Sequence, residues 1–211
     1  MLKKVSLVEQ IYDQTREDII NLEYPLGSKL GISDLQEKYG VSSTPVREAL
    51  NRLQIEGLVE YENNVGARVL QMTREDIMEV HQLALVLHSA AIELSMNNGH
   101  NEEMAADMLG YIKEYEKAAT IKERTLCVHR IVGVFYQYCD NKRLDANMGF
   151  IKGQQLILRN LYGRIANPKT NNSGDYMEMY KGVLNGDKEK VISTLKASEK
   201  KAVQAILDSM I

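Results

Sequence analysis

The run Val41-Ser42-Ser43-Thr44-Pro45-Val46-Arg47-Glu48-Ala49-Leu50-Asn51-Arg52-Leu53 holds the side chains best suited to contact a charged polymer. Its three hydroxyl residues supply an N-cap, and proline fits a first helical turn, where its missing N–H costs nothing. Val46, Ala49, Leu50 and Leu53 fall on one side of such a helix, leaving Arg47 and Asn51 on another, one turn apart. A helix N-terminus offers free N–H groups and partial positive charge to a phosphate. An arginine within that first turn can donate two hydrogen bonds to O6 and N7 of guanine. Taken alone, the run also suits a structural helix with Arg47 in a surface pair with Glu48 or Asn51.

A second constellation lies further along the chain. Helical periodicity puts Thr125 and Ser198 on apolar stripes, and Tyr176 on one stripe with Tyr180 and Val183. His88 lies one turn after Ala84, and His129 one turn after Thr125. A lone histidine on an apolar face is more often a core residue than a ligand. Two histidines with Thr, Tyr and Ser on facing helices suit a pocket for a small-molecule effector. A closed core filled by Tyr176 is the alternative. An enzyme would need a nucleophile with its base, and His129 has no carboxylate at helical spacing on its inward face. No glycine-rich phosphate loop is present.

The elements that must position these residues follow from composition and pattern. The chain has 211 residues, 44% hydrophobic and 26% charged, with a net charge of −3. Residues 1–70 carry 8 Lys and Arg against 11 Asp and Glu, so no broad basic surface marks a nucleic-acid binder, and contact with DNA must rest on local placement. The longest unbroken apolar run, Leu83–Leu87, is far shorter than a membrane span, and charge comes too early at the N-terminus for a secretory segment. Two cysteines without a disulfide framework suit a reducing compartment, so a cytoplasmic protein is expected, with no membrane partner.

Apolar spacing predicts helices over Val5–Leu22, 32–39 and 44–55. Strands at Leu58–Glu62 and Ala67–Leu70 then flank a turn at Asn63-Asn64-Val65-Gly66. Three helices and a two-stranded ribbon make a winged helix-turn-helix over 1–72, with Gly66 letting the ribbon tip approach a groove. From 73 to 211 the pattern is helical throughout, starting at a capping-box-like Thr73 and Asp76. Its stripes include Ile77, Val80, Ala84, Leu87, Ala91 and Leu94, and a polar loop surrounds Pro168. The expected fold class is mainly α: a winged helix-turn-helix followed by an all-α bundle of six or seven helices.

The segments Leu22–Leu30, Val41–Leu50, Glu56–Val59 and Gly66–Val69 resemble the GntR family of bacterial transcription regulators, over residues 8–70 almost without a gap. The helical remainder resembles the effector domain of the family's FadR branch, called FCD. This resemblance implies DNA contacts from Ser42, Ser43, Thr44, Arg47 and Gly66. It also implies that Ser33 and Ser43 stand where the family often has basic residues. Many FCD domains hold a divalent metal through an Asp and three His, at positions occupied here by Thr125, His129, Tyr176 and Ser198. Only one of those four is a metal ligand, so a variant without metal or other cofactor is expected. An arginine that often grips an effector carboxylate is replaced by Ala84, which points to a less acidic ligand. The resemblance further implies a homodimer on a palindromic operator and repression relieved by a metabolite. A ligandless dimerisation domain and a helical enzyme with a fused DNA-binding head are the alternatives.

Overall fold

Ser6 starts the first helix by accepting a hydrogen bond from the Glu9 N–H at 3.1 Å, which sets α1 at Leu7–Ile20, shorter at both ends than its apolar spacing suggests. The computed structural model describes residues 6–62, 66–166 and 173–210. They divide into two compact units, Met1–Thr73 and Arg74–Ile211.

In the first unit, Ile11, Thr15 and Ile19 turn the inner face of α1 toward α3. The helix closes through Asn21 and a buried Leu22 at φ 60°, a left-handed conformation that a leucine adopts only when packing holds it. Helix α2 (Ile32–Tyr39) ends at Gly40, whose φ of 66° makes the tight turn into α3 (Ser43–Ile55). Val46, Ala49, Leu50 and Leu53 are all buried on the inner face of α3, as the spacing requires. Strands β1 (Val59–Glu62) and β2 (Gly66–Val69) pair antiparallel from Val59↔Val69 to Glu62↔Gly66, and a bridge from Lys29 to Arg68 extends the ribbon. The expected turn at 63–65 lies outside the described residues.

A buried-edge ion pair locks α1 to the end of α3. Arg16 donates from Nε to both Glu56 oxygens at 2.8 and 2.9 Å, and its Nη2 lies 2.6 Å from Oε1. The Tyr12 hydroxyl donates to the same carboxylate at 2.8 Å. Burial, then the Glu56 hydrogen bond, pushes that phenol up to about 12.

The second unit runs through α4 (Arg74–Asn97), α5 (Asn101–Lys117), α6 (Ile121–Tyr138), α7 (Lys142–Ile165), α8 (Ser173–Leu184) and α9 (Lys188–Ser209). Phe135, Met104, Met108 and Ile131 form the centre of its core. A capping box at Thr120 and Glu123 opens α6. The loop around Pro168 falls outside the described residues except at Ala166, Ser173 and Gly174.

The α4 stripe departs from the spacing at its end. Leu94 is 37% exposed, whereas Ile92, Ser95 and Met96 are buried. A strict repeat of 3.5 residues drifts by about 20° per heptad around a straight helix of 3.6 residues per turn, so a stripe that begins inward rotates outward. Helix α4 is long and apolar enough to cross a membrane by length and composition, with a mean hydropathy of 1.2 over its best window. Its apolar content is divided between the core face and an exposed row, Leu83, Val86 and Leu94.

Candidate nucleic-acid interface and helical-unit cavity

Ser42 occupies the N-cap of α3 with extended backbone, and its side chain makes no cap hydrogen bond. Helix geometry leaves the N–H groups of Ser43 and Thr44 without intrahelical acceptors. Ser42, Thr44 and Arg47 are exposed, and Ser43 is half-buried. Arg47 makes no ion pair with any described residue. Glu48 instead pairs with Arg52, at 3.1 Å.

The remaining cations described in this unit divide sharply. Arg16 is held by Glu56, Lys38 by Asp18, Arg52 by Glu9 and Glu48, and Arg68 by Glu62. Only Arg47 and the exposed Lys29 have no ion-pair partner among the described residues. A unit that is acidic overall therefore still presents an unneutralised guanidinium at the positive end of one helix.

The ribbon lies beside that helix. Burial raises the Tyr61 hydroxyl, and the nearby Arg47 charge pulls it back. Tyr61 is 40% exposed on β1 and was not legible as an interface residue, because a strand aromatic is more often core. Gly66 begins β2 with φ 98°, and a side chain there would meet nothing within 4 Å, so backbone geometry alone requires glycine. Ser33, exposed on α2, donates to Asp34 Oδ1 at 3.3 Å.

In the helical unit the five expected effector residues do not share one site. Thr125, Tyr176 and Ser198 line a cavity of about 120 Å³ with Ala84, and Tyr176 does not close it. His88 and His129 line a neighbouring cleft of about 500 Å³. His88 is a satisfied core residue: its ring lies 2.8 Å from the Tyr136 hydroxyl through Nδ1 and 2.6 Å from Gln155 Nε2 through Nε2. With the Gln155 amide as donor, the imidazole is neutral and donates from Nδ1 to Tyr136. Burial pushes its pKa down to about 4, against the opposing pull of Glu199.

The Thr125 hydroxyl donates to Asn160 Oδ1 at 2.7 Å, so it is already engaged. Thr125, His129, Tyr176 and Ser198 supply one imidazole and three hydroxyls, which do not fit a zinc- or nickel-type centre. Among the described residues no group of three His, Cys, Asp or Glu side chains is placed to hold a metal.

Three cavity residues escaped the sequence reading. Arg159 on α7 pairs with Glu199 on α9 through Nη2 and Oε1 at 3.1 Å, while its Nε and Nη1 are buried without acceptors among the described residues. His81 on α4 is buried with Nδ1 lacking a hydrogen-bond partner among the described residues, 3.9 Å from Glu199 Oε2. Burial lowers its pKa, and Glu199 opposes that shift. The cavity that Ala84 lines thus also holds a guanidinium, from another helix.

Comparisons with known proteins follow these two units. Residues 7–69 match the model of bacterial regulatory proteins, gntR family. The chain is 28% identical over 109 residues to the uncharacterized HTH-type transcriptional regulator YdhC of Bacillus subtilis, covering 52% of this chain and 48% of that protein. It is 30% identical over 98 residues to the HTH-type transcriptional repressor GlaR of Escherichia coli K12, covering 46% and 44%. The chain thus spans about half the length of the curated relatives it matches. E. coli McbR/YncC has a similar fold, with TM-score 0.78 and 19% identity over 99% of this chain and 100% of that one. Helix order, ribbon and family match agree: the N-terminal unit of this chain is a winged helix-turn-helix that is similar to the gntR family of bacterial regulatory proteins.

Proposed function

We propose that the protein is a cytoplasmic bacterial transcription regulator, not an enzyme, which binds a palindromic operator as a homodimer and responds to a small-molecule effector in its helical unit. The observation that carries this reading is Arg47, exposed one turn into α3 and without an ion pair to any described residue, beside the ribbon of a gntR-type unit. Ser42, Ser43 and Thr44 contribute hydroxyls and N–H groups to phosphate, Arg47 reads a base edge, and Gly66 lets the ribbon approach a neighbouring groove. Ser33 faces the backbone without adding charge. The repressor name of one relative supports repression as the default sign.

Two-fold pairing has independent support. Leu83, Val86 and Leu94 form an exposed apolar row along one face of α4, and Val86 is 66% exposed. Such a row on a soluble helix suits a second copy of the same face. The cavity lined by Thr125, Tyr176 and Ser198 gives an effector room, and the chemistry of those side chains favours a ligand held without metal.

Selection of bound duplexes from a random pool by the purified full chain tests the reading. Enrichment of an inverted repeat is expected, with half-sites about one helical turn apart or a multiple of it. Recovery of unselected sequences at the starting frequency overturns it.

A further inference from the structure

Among its described residues, the ribbon of the first unit carries its charges on one face and a phenol on the other. Side chains alternate along a strand, so Val59 and Tyr61 share one face of β1 with their cross-strand partners Val69 and Ala67. Val59, Val69 and Ala67 are buried, which marks this face as the one turned to the core and α3. Glu60, Glu62 and Arg68 fall on the opposite face, where Arg68 Nε lies 2.7 Å from Glu62 Oε2.

The chain enters β1 from the end of α3, with the Leu58 N–H donating to the Leu53 carbonyl at 2.9 Å. Tyr61 stands two residues beyond the buried Val59, where the core gives out, and is 40% exposed. Its hydroxyl makes no hydrogen bond with any described residue. Arg47 is close enough for its charge to act on that hydroxyl, so the two side chains share the edge between α3 and the ribbon. Burial keeps the phenol protonated at neutral pH, which makes it a donor.

Resting on the reading of this unit as a DNA-binding head, we propose that Tyr61 is a positioning residue, whose hydroxyl donates to a phosphate oxygen beside the base that Arg47 reads. Tyrosine is among the side chains that hold the DNA backbone, and such contacts fix register without carrying sequence information. A neutral donor suits a head whose other cations are largely held by its own carboxylates. It grips a phosphate without displacing a condensed ion, as a lysine would.

Binding of the full chain to its selected operator tests this, with the parent compared to Tyr61→Phe, which keeps the ring and loses the donor. The variant is expected to melt with the parent and to bind on the order of tenfold more weakly. The loss should be nearly the same on operators changed at the base read by Arg47, and the salt slope should not move. Operators carrying single stereoisomers of methylphosphonate at one phosphate at a time locate the partner. At one phosphate in each half-site the difference between parent and variant is expected to vanish, and elsewhere to persist. Equal binding by the two proteins overturns the proposal, as does a deficit that persists at every methylphosphonate or a changed salt slope. A parent that selects no sequence strikes the regulator reading and this contact with it, whereas a selecting parent matched by Tyr61→Phe strikes the contact alone.

Discussion

Arg47 and His88 show how differently two polar side chains can be employed. Arg47 is exposed and makes no ion pair with any described residue. Replacing it with alanine should therefore leave the melting temperature unchanged while costing about 1–3 kcal/mol on the selected operator and relaxing preference at one base position. Parallel melting and binding curves check both halves. His88 is the reverse case, neutral and enclosed between Tyr136 and Gln155. Its folded pKa of about 4 lies below the ordinary 6.5, so the unfolded chain takes up a proton first as pH falls. Its contribution to stability is complete above pH 6.5 and is lost as pH drops toward 4, roughly 2–3 kcal/mol between pH 7 and pH 4.5. Equilibrium unfolding at the two pH values should show that loss, and a His88→Gln chain should show a shallower one. The difference in legibility has a physical cause. Arg47 acts through its own helix turn, whose caps and apolar spacing are local. The partners of His88 lie 48 and 67 residues away, and Glu199 lies 40 residues from Arg159, so only the folded chain reveals them.

Helices in the second unit approach one another at distances set by glycine. A Cβ on Gly182 would stand 2.6 Å from Cγ2 of Val191, so α8 and α9 can sit as close as they do only without that atom. Gly133 and Gly149, inside α6 and α7, have open space at the same position and line the cleft that holds His88 and His129. The two kinds should respond oppositely to alanine. Gly182→Ala is expected to cost about 1–3 kcal/mol through overpacking. Gly133→Ala is expected to gain about 0.5–1 kcal/mol, because helix propensity improves and nothing is displaced. Denaturant midpoints of the two variants decide it. Sequence alone cannot distinguish them, since closeness is a property of a pair of helices. Element existence was otherwise legible: α2, α3 and both strands fall within a residue or so of their apolar patterns. The α4 stripe misled only where accumulated rotation carried Leu94 outward.

For the whole molecule, the proposed homodimer puts the exposed row on α4 at its two-fold contact. A Val86→Asp substitution introduces a charge on that row without touching the core. Sedimentation velocity should then report a monomer that melts close to the parent and has lost tight operator binding; an unaltered dimer would place the two-fold contact on another face. The neutralised surface of the first unit bears on how such a dimer finds its site. With only Arg47 and Lys29 unpaired among the described residues of each head, a dimer displaces few condensed ions from DNA. The slope of log K against log salt should be shallow, roughly −2 if Lys29 of each head meets a phosphate while Arg47 reads a base. A slope near about −5 would mean that Arg52 and Arg68 abandon their carboxylates on binding. Weak counterion release also means a weak hold on bulk chromosome. Such a regulator spends little of its time parked on the wrong sequence, and its occupancy of the right one is set by base contacts more than by charge.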